Sequence, residues 1–197
     1  MNKAVFLDRD GTIIEEVNYL RQIDQIDIFK CSAPAISLLN KANFKVVVIT
    51  NQSGVARGYF KEDFVKKSNS EIANRLRMQG ANIDAWFYCP HHPTEGEAPY
   101  KIDCNCRKPK IGLIAKAKDM FDIDLSSSFI IGDSLKDLEA GWNAGLKTIL
   151  VLTGHGKNTL KSLRKDQYKD VNFIAEDILE ASKWILDFLK NPHLKRF

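Results

Sequence analysis

Nowhere in the 197 residues does an apolar run approach the ~18 residues that a membrane-crossing helix needs. The first apolar run ends on a carboxylate at Asp8, so the start of the chain has no secretory-leader pattern. Both absences lead to the expectation of a cytoplasmic protein with no membrane partner. A strong charge of one sign is also missing: 29 Lys and Arg against 25 Asp and Glu leave a net +4. The basic residues are scattered, without a stripe of interleaved aromatics, which argues against a nucleic-acid partner. Cysteine is scarce as well. Four residues are too few for a disulfide scaffold, and three of them cluster, which points to a metal rather than to bridges. Repeats, low-complexity tracts and linkers are absent. The expectation is one domain over 1–190, followed by a short tail over 191–197.

A composition of 44% hydrophobic residues is enough for a sizeable core, and it is laid out in alternation. Short apolar runs at 4–8, 45–50, 84–89, 128–132, 147–152 and 171–175 predict buried strands. Between them lie helical patterns. Ser32 is placed to cap a helix with Pro34 in its first turn and Ile36, Leu39 and Ala42 on one face. The stretch 61–79 predicts a helix with Val65, Ile72 and Leu76 inward and Gly80 as its stop. Further helices are predicted over 111–121, over 135–144 ended by Gly145, and over 177–190. A long loop spans 90–109, and a glycine-bearing turn precedes the last strand. Strands alternating with helices imply right-handed βαβ units and a parallel sheet. The fold class is α/β, a three-layer, doubly wound, Rossmann-like sandwich.

Four polar stretches fall where strands of this sheet end or next to them, and in open α/β sheets ligands bind at that edge. The first is Asp8-Arg9-Asp10-Gly11-Thr12. Asp8 and Asp10 share a face if the strand runs on; if Gly11 turns the chain sharply, Asp10 opens the loop. Two anions so close repel, and a divalent cation relieves the repulsion. The second is Thr50-Asn51-Gln52-Ser53-Gly54, a hydroxyl followed by a turn whose backbone N–H groups suit phosphoryl oxygens. The third is Gly132-Asp133-Ser134-Leu135-Lys136-Asp137, a second carboxylate pair. The fourth is Arg107-Lys108-Pro109, two cations that complement phosphate charge. The loop Cys89-Pro90-His91-His92 … Cys104-Asn105-Cys106 offers three thiols and an imidazole, a donor set that favours tetrahedral zinc. Spacing alone leaves His91 and His92 both open. With four protein ligands such a site is structural, and it abuts Arg107 and Lys108. Cys31, far off in sequence, reads as a small buried hydrophobe.

Together these stretches resemble the four motifs of the haloacid dehalogenase superfamily of phosphatases: DxDGT at 8–12, Thr50, Lys108, and GDxxxD at 132–137. The resemblance covers most of the chain, from residue 4 to about 145. It implies Mg2+ held by the carboxylates of Asp8 and Asp133 and the backbone carbonyl of Asp10. It implies Asp8 as nucleophile, Asp10 as acid and base, and Thr50 and Lys108 as partners of the phosphoryl oxygens. Asp137 then orients Lys108 or a metal-bound water. The intervals after the first and third strands are too short for a large helical cap domain.

The zinc loop narrows the likeness to the D-glycero-D-manno-heptose 1,7-bisphosphate 7-phosphatases, with the histidinol-phosphate phosphatases as neighbours. Their CxH…CxC pattern implies Zn2+ on Cys89, His91, Cys104 and Cys106. The stretch 50–58 is similar to the TNQSGxARG loop of the heptose enzymes. The likeness implies substrate contacts from Glu16, Val17, Asn18 and Tyr19, from Thr50, Asn51, Gln52 and Ser53, and from Arg107 and Lys108. Arg107 or Arg57 then serves the distal phosphate. The implied partner is a small sugar bisphosphate, met by a monomer in the synthesis of ADP- or GDP-heptose precursors. Ser134 departs from the pattern, since the best-known heptose enzymes carry Lys there.

Overall fold

The computed structural model of the chain describes residues 1–191, so the tail noted above lies outside the described residues except for Asn191. Six strands form one sheet: β1 (Ala4–Leu7), β2 (Lys45–Asn51), β3 (Ala85–Cys89), β4 (Phe129–Gly132), β5 (Lys147–Val151) and β6 (Phe173–Ala175). Their order is β3-β2-β1-β4-β5-β6, and every neighbouring pair is parallel. The continuous apolar runs follow from burial on both faces. Val5 and Leu7 of β1 join Val46, Val48, Phe129 and Ile131 in one core. Ala4 and Phe6, pointing the other way, join Val47, Ile49 and Ile130 in a second.

Helices cover each face. On the first, α1 (Ser32–Lys41), α2 (Glu62–Arg77) and α7 (Ile178–Lys190) contribute Ile36 and Leu39, Ile72 and Leu76, and Ile178 and Ile185. On the second, α3 (Gly112–Phe121) and α4 (Leu135–Ala144) contribute Leu113, Ile114, Ala117 and Ala140. Aromatic contacts seat α7: Trp184 stacks on Phe173 with ring centres 5.0 Å apart, and Phe129 meets Trp184 and Phe188 edge-on.

Some local expectations are corrected. The turn read ahead of the last strand holds two short helices, α5 (Gly156–Ser162) and α6 (Lys165–Asp170). Each is under two turns or barely at that length, too short to print a 3.6-residue period. Ser32 is not the cap of α1. Cys31 occupies that position, and the buried Ser32 hydroxyl instead donates to Ile13 O at 2.7 Å, tying α1 to the loop after β1. Asp177, by contrast, caps α7 by accepting from the backbone N–H groups of Leu179 and Glu180.

The chain begins in the middle of the sheet, builds outward through β2 and β3, then returns to β4 on the other side of β1. The connections therefore diverge between β1 and β4, leaving a crevice at their carboxyl ends. Neither interval named for a cap carries one: 8–31 holds a single helical turn, Ile23–Gln25, and 90–111 is loop. No helix among the described residues is long and apolar enough to cross a membrane.

Candidate active site

The crevice is built around a buried ammonium. Lys108 Nζ lies 2.8 Å from Asp8 Oδ1 and 2.6 Å from Asp137 Oδ1, and it donates to Ile49 O at 2.8 Å. Its side chain is 3% exposed, so two ion pairs and one hydrogen bond to the protein stand in for water around the charge. Asp137 stands at the start of α4, where Oδ2 accepts from Ser134 N and Oγ in a capping box. Asp133 follows β4, and its Oδ2 accepts from His155 N at 2.7 Å. Gly11 passes directly beside that oxygen with φ +77°, and a Cβ there would collide with it.

Three carboxylates, Asp8, Asp133 and Asp137, bring ligand oxygens within 4.8 Å of one another around that single ammonium. Burial, with Asp137 beside it, raises the Asp8 carboxyl to about 7. Burial, with Asp8 and Asp137 nearby, raises Asp133 to about 8. Burial works against the Lys108 charge, but Asp137 and Asp8 overcome it and hold the ammonium above its usual range. The excess negative charge and the all-oxygen donor set fit a hard divalent cation.

Asp10 is drawn away from this cluster. The sequence leaves open whether it converges with Asp8; β1 ends at Leu7, and the two carboxylates take separate cations. Arg9 Nε approaches Asp10 Oδ1 and Oδ2 at 3.2 and 3.1 Å, and Nη2 donates to Oδ1 at 2.9 Å. Gln52 Nε2 donates to Asp10 Oδ2 at 2.8 Å and to Thr50 Oγ1 at 2.9 Å.

A cleft of about 350 Å3 opens here. The structure brings Asp8, Asp10, Glu16, Asn18, Tyr19, Thr50, Asn51, Gln52, Ser53, Arg107, Lys108 and Asp133 to its lining. Val17 is not among them; it sits 37% exposed between two lining residues. Arg57 does not line the cleft either, being paired with Glu95 and lying near the Tyr19 ring. The Asn51 side chain is occupied in holding Lys108, whose N donates to Oδ1 at 3.0 Å and whose O accepts from Nδ2 at 3.1 Å. Arg9, Lys136 and His155 line the cleft without having been singled out. His155 lies on the loop after β5, at the same sheet edge, and applying the strand-end rule to every strand finds it. Arg9 is a charged residue inside a buried strand-end motif, itself a signal that a paired partner waits.

The second donor cluster is formed by Cys89, His91, Cys104 and Cys106. Cys89 Sγ is 3.4 Å from Cys104 Sγ and 3.8 Å from His91 Nδ1, and Nδ1 is 3.3 Å from Cys106 Sγ. A tetrahedral ion with metal–sulfur bonds of about 2.3 Å has edges of roughly this length, so the donors fit a thiophilic cation. His92 is turned elsewhere, its Nδ1 accepting from Glu95 N at 3.0 Å. Burial opposes ionisation of Cys104, but hydrogen bonds from Cys106, Cys89 and His91 outweigh it and bring the thiol down to about 7. The cluster reaches the cleft directly, since Arg107 Nη1 donates to His91 O at 3.1 Å.

A family model described as HAD-hydrolase-like matches residues 105–181. The chain is 40% identical over 186 residues to a D-glycero-beta-D-manno-heptose-1,7-bisphosphate 7-phosphatase of Pasteurella multocida, covering 94% of this chain and 97% of that one. It is 43% identical over 155 residues to a protein of the same name from Haemophilus influenzae, covering 78% and 84%. The crystal structure of D,D-heptose 1,7-bisphosphate phosphatase from B. bronchiseptica, complexed with magnesium and phosphate, matches with a TM-score of 0.82 at 32% identity, over 94% of this chain and 98% of that chain. Sheet order, strand-end carboxylates and these matches define a haloacid dehalogenase-like phosphatase. Within that class the chain belongs to the family of the heptose-1,7-bisphosphate 7-phosphatases.

The raised carboxyls set a pH response. Without a divalent cation the folded chain keeps protons on Asp8 and Asp133 up to about 7 and 8, whereas unfolded carboxyls release theirs near 4. The folded state binds more protons in that window, so its stability is greatest below it and falls as pH rises through the folded values. Melting of chelator-treated protein is expected to drop between about pH 5 and pH 8, with added magnesium restoring more at the upper end. Asp133→Asn is expected to flatten both responses. A Tm independent of pH and of magnesium would contradict the charge account.

Proposed function

We propose that this chain hydrolyses the 7-phosphate ester of a D-glycero-D-manno-heptose 1,7-bisphosphate and leaves the 1-phosphate in place. The substrate follows the heptose-1,7-bisphosphate 7-phosphatases that the chain resembles, and the observation that carries the chemistry is the position of Asp8, held by Lys108 at the carboxyl end of β1 and backed by Asp133. Asp8 attacks phosphorus in line, forming an aspartyl-phosphate as the ester bond to the sugar oxygen breaks. Asp10 gives a proton to that oxygen, then takes one from the water that hydrolyses the aspartyl-phosphate. Thr50 Oγ1 and Lys108 balance charge on the phosphoryl oxygens.

The Asp8 and Asp133 carboxylates, with the Asp10 backbone carbonyl, would hold Mg2+, which supplies charge neutralisation at the transferring group. Cys89, His91, Cys104 and Cys106 would hold a structural Zn2+. Through the Arg107–His91 contact the zinc loop fixes two cations of the cleft, Arg107 and Lys108. Since Arg57 is paired outside the cleft, Arg107 is the candidate for the distal phosphate. The substrate-contact set is Glu16, Asn18, Tyr19, Thr50, Ser53, Arg107 and Lys108, with Asn51 and Gln52 placing their neighbours. We read the enzyme as a monomer acting on small molecules in the cytoplasm, three of its four cysteines serving as metal ligands rather than disulfides.

A phosphate-release panel tests the substrate. Heptose 1,7-bisphosphate is expected to be turned over in preference to histidinol phosphate, fructose 1,6-bisphosphate and a 3′-phosphorylated oligonucleotide. Arg107→Ala is expected to lower kcat/KM for the bisphosphate about ten- to a hundredfold, the worth of a charge-assisted hydrogen bond of ~1.5–3 kcal/mol, with a much smaller loss on a small monoester. Equal losses on both, or faster turnover of histidinol phosphate by the parent chain, would overturn the substrate assignment.

Metal analysis of protein prepared without chelators is expected to find about one zinc per chain, and stripping it to lower both Tm and kcat/KM, because a structural site contributes its binding energy to folding. Zinc-free protein with unchanged stability and turnover would contradict the role given to the loop.

A further inference from the structure

The buried face of α2 runs Val65, Ser68, Asn69, Ile72, Leu76. An amphipathic helix of this length has no packing reason to place a hydroxyl and an amide in the middle of its core face. The reason is Arg9. Its side chain is 2% exposed, and a guanidinium at that depth needs every edge matched. One edge, Nε and Nη2, grips Asp10. The remaining end, Nη1, donates to Asn69 Oδ1 at 3.0 Å and reaches Ser68 Oγ at 3.4 Å. Ser68 Oγ in turn donates to Val65 O at 3.0 Å, so its lone pairs are turned to Arg9.

We propose that Arg9 and Asn69 are positioning residues for Asp10: a planar fork, fixed at its far end by α2, that sets the Asp10 carboxylate at the leaving-group side of the cleft. This rests on the phosphatase reading above. Asp10 is 20% exposed, so it presents part of itself to the cleft while Arg9 and Gln52 hold the rest. It is also held apart from Asp8, which takes Lys108 as its own cation. A group that first gives and then takes a proton must stay in one place while its charge changes. A rigid two-edged donor anchored to a helix provides that constraint, whereas a flexible point charge does not.

The test uses leaving groups. Protonation matters for a sugar alkoxide and little for p-nitrophenolate, and kcat/KM reports the steps through the first phosphoryl transfer. Asn69→Leu removes the anchor and keeps the volume; Arg9→Lys keeps the charge and removes the fork. For the heptose bisphosphate, kcat/KM is expected to fall about tenfold in Asn69→Leu and about a hundredfold in Arg9→Lys, against roughly threefold or less for p-nitrophenyl phosphate. Arg9→Ala is expected to regain part of the sugar-ester rate when guanidinium is added. Parallel losses on both substrates, with no regain, would overturn the proposal. If Arg9→Lys fails to fold, Asn69→Leu and Asn69→Ser decide by the same ratio. A parent chain that cleaves neither ester would instead refute the phosphatase reading. One that cleaves only other alkyl phosphates leaves the ratio measurable on those.

Discussion

The site depends on one buried ion cluster, the Lys108 ammonium among Asp8, Asp137 and the neighbouring Asp133. Removing a charge of this kind from water is costly unless its partners are fixed before it arrives. Every partner here is fixed by the fold. Asp8 is held by β1 and by its backbone bond to Ile131 O, Asp137 by the first turn of α4, and the third acceptor is a β2 carbonyl. Because three carboxylates outnumber the one ammonium, the protein alone leaves the cluster short of positive charge. Burial, with this excess of negative charge, raises Asp8 and Asp133, and a divalent cation would supply the positive charge that is short.

Two braces hold the residues in and beside the cluster. The loop 90–111 supplies Lys108, and it is gathered by the Cys89, His91, Cys104 and Cys106 cluster and by Asn51, which holds Lys108 at both backbone groups. Helix α2 is the other. Its first residue, Glu62, accepts from the hydroxyls of Tyr88 and Tyr100, binding the helix to that loop, and its middle meets Arg9. The same helix therefore touches both the loop that places Lys108 and the guanidinium that places Asp10.

Much of this was legible in the chain. Continuous apolar runs such as Val46–Val47–Val48–Ile49 announce strands buried on both faces, and the polar residues that follow them lie at one sheet edge by topology alone. The ligand types at Cys89, His91, Cys104 and Cys106 carry their chemistry in their spacing. What escaped depends on contacts between distant segments. Ser32 satisfies the local rule for a cap, yet its hydroxyl is taken by Ile13 O, nineteen residues earlier. Gln52 and Asn51 look like ligand-binding amides, and their amides are engaged with Asp10, Thr50 and Lys108. Arg57 sits in a phosphate-like loop, but Glu95 across the zinc loop pairs with it. Helices α5 and α6 are too short to leave a period, so His155 beside them went unmarked as well.

We propose that Asp8, and no other group of the cleft, carries the phosphoryl group between the two steps. Rapid acid quench of the enzyme turning over heptose bisphosphate with magnesium, followed by borohydride reduction and peptide mass spectrometry, reads this directly. Homoserine is expected in place of Asp8, dependent on substrate and absent in Asp8→Asn. Reduction at Asp133 or Asp137, a phosphorylated His155, or steady turnover by Asp8→Asn would contradict it.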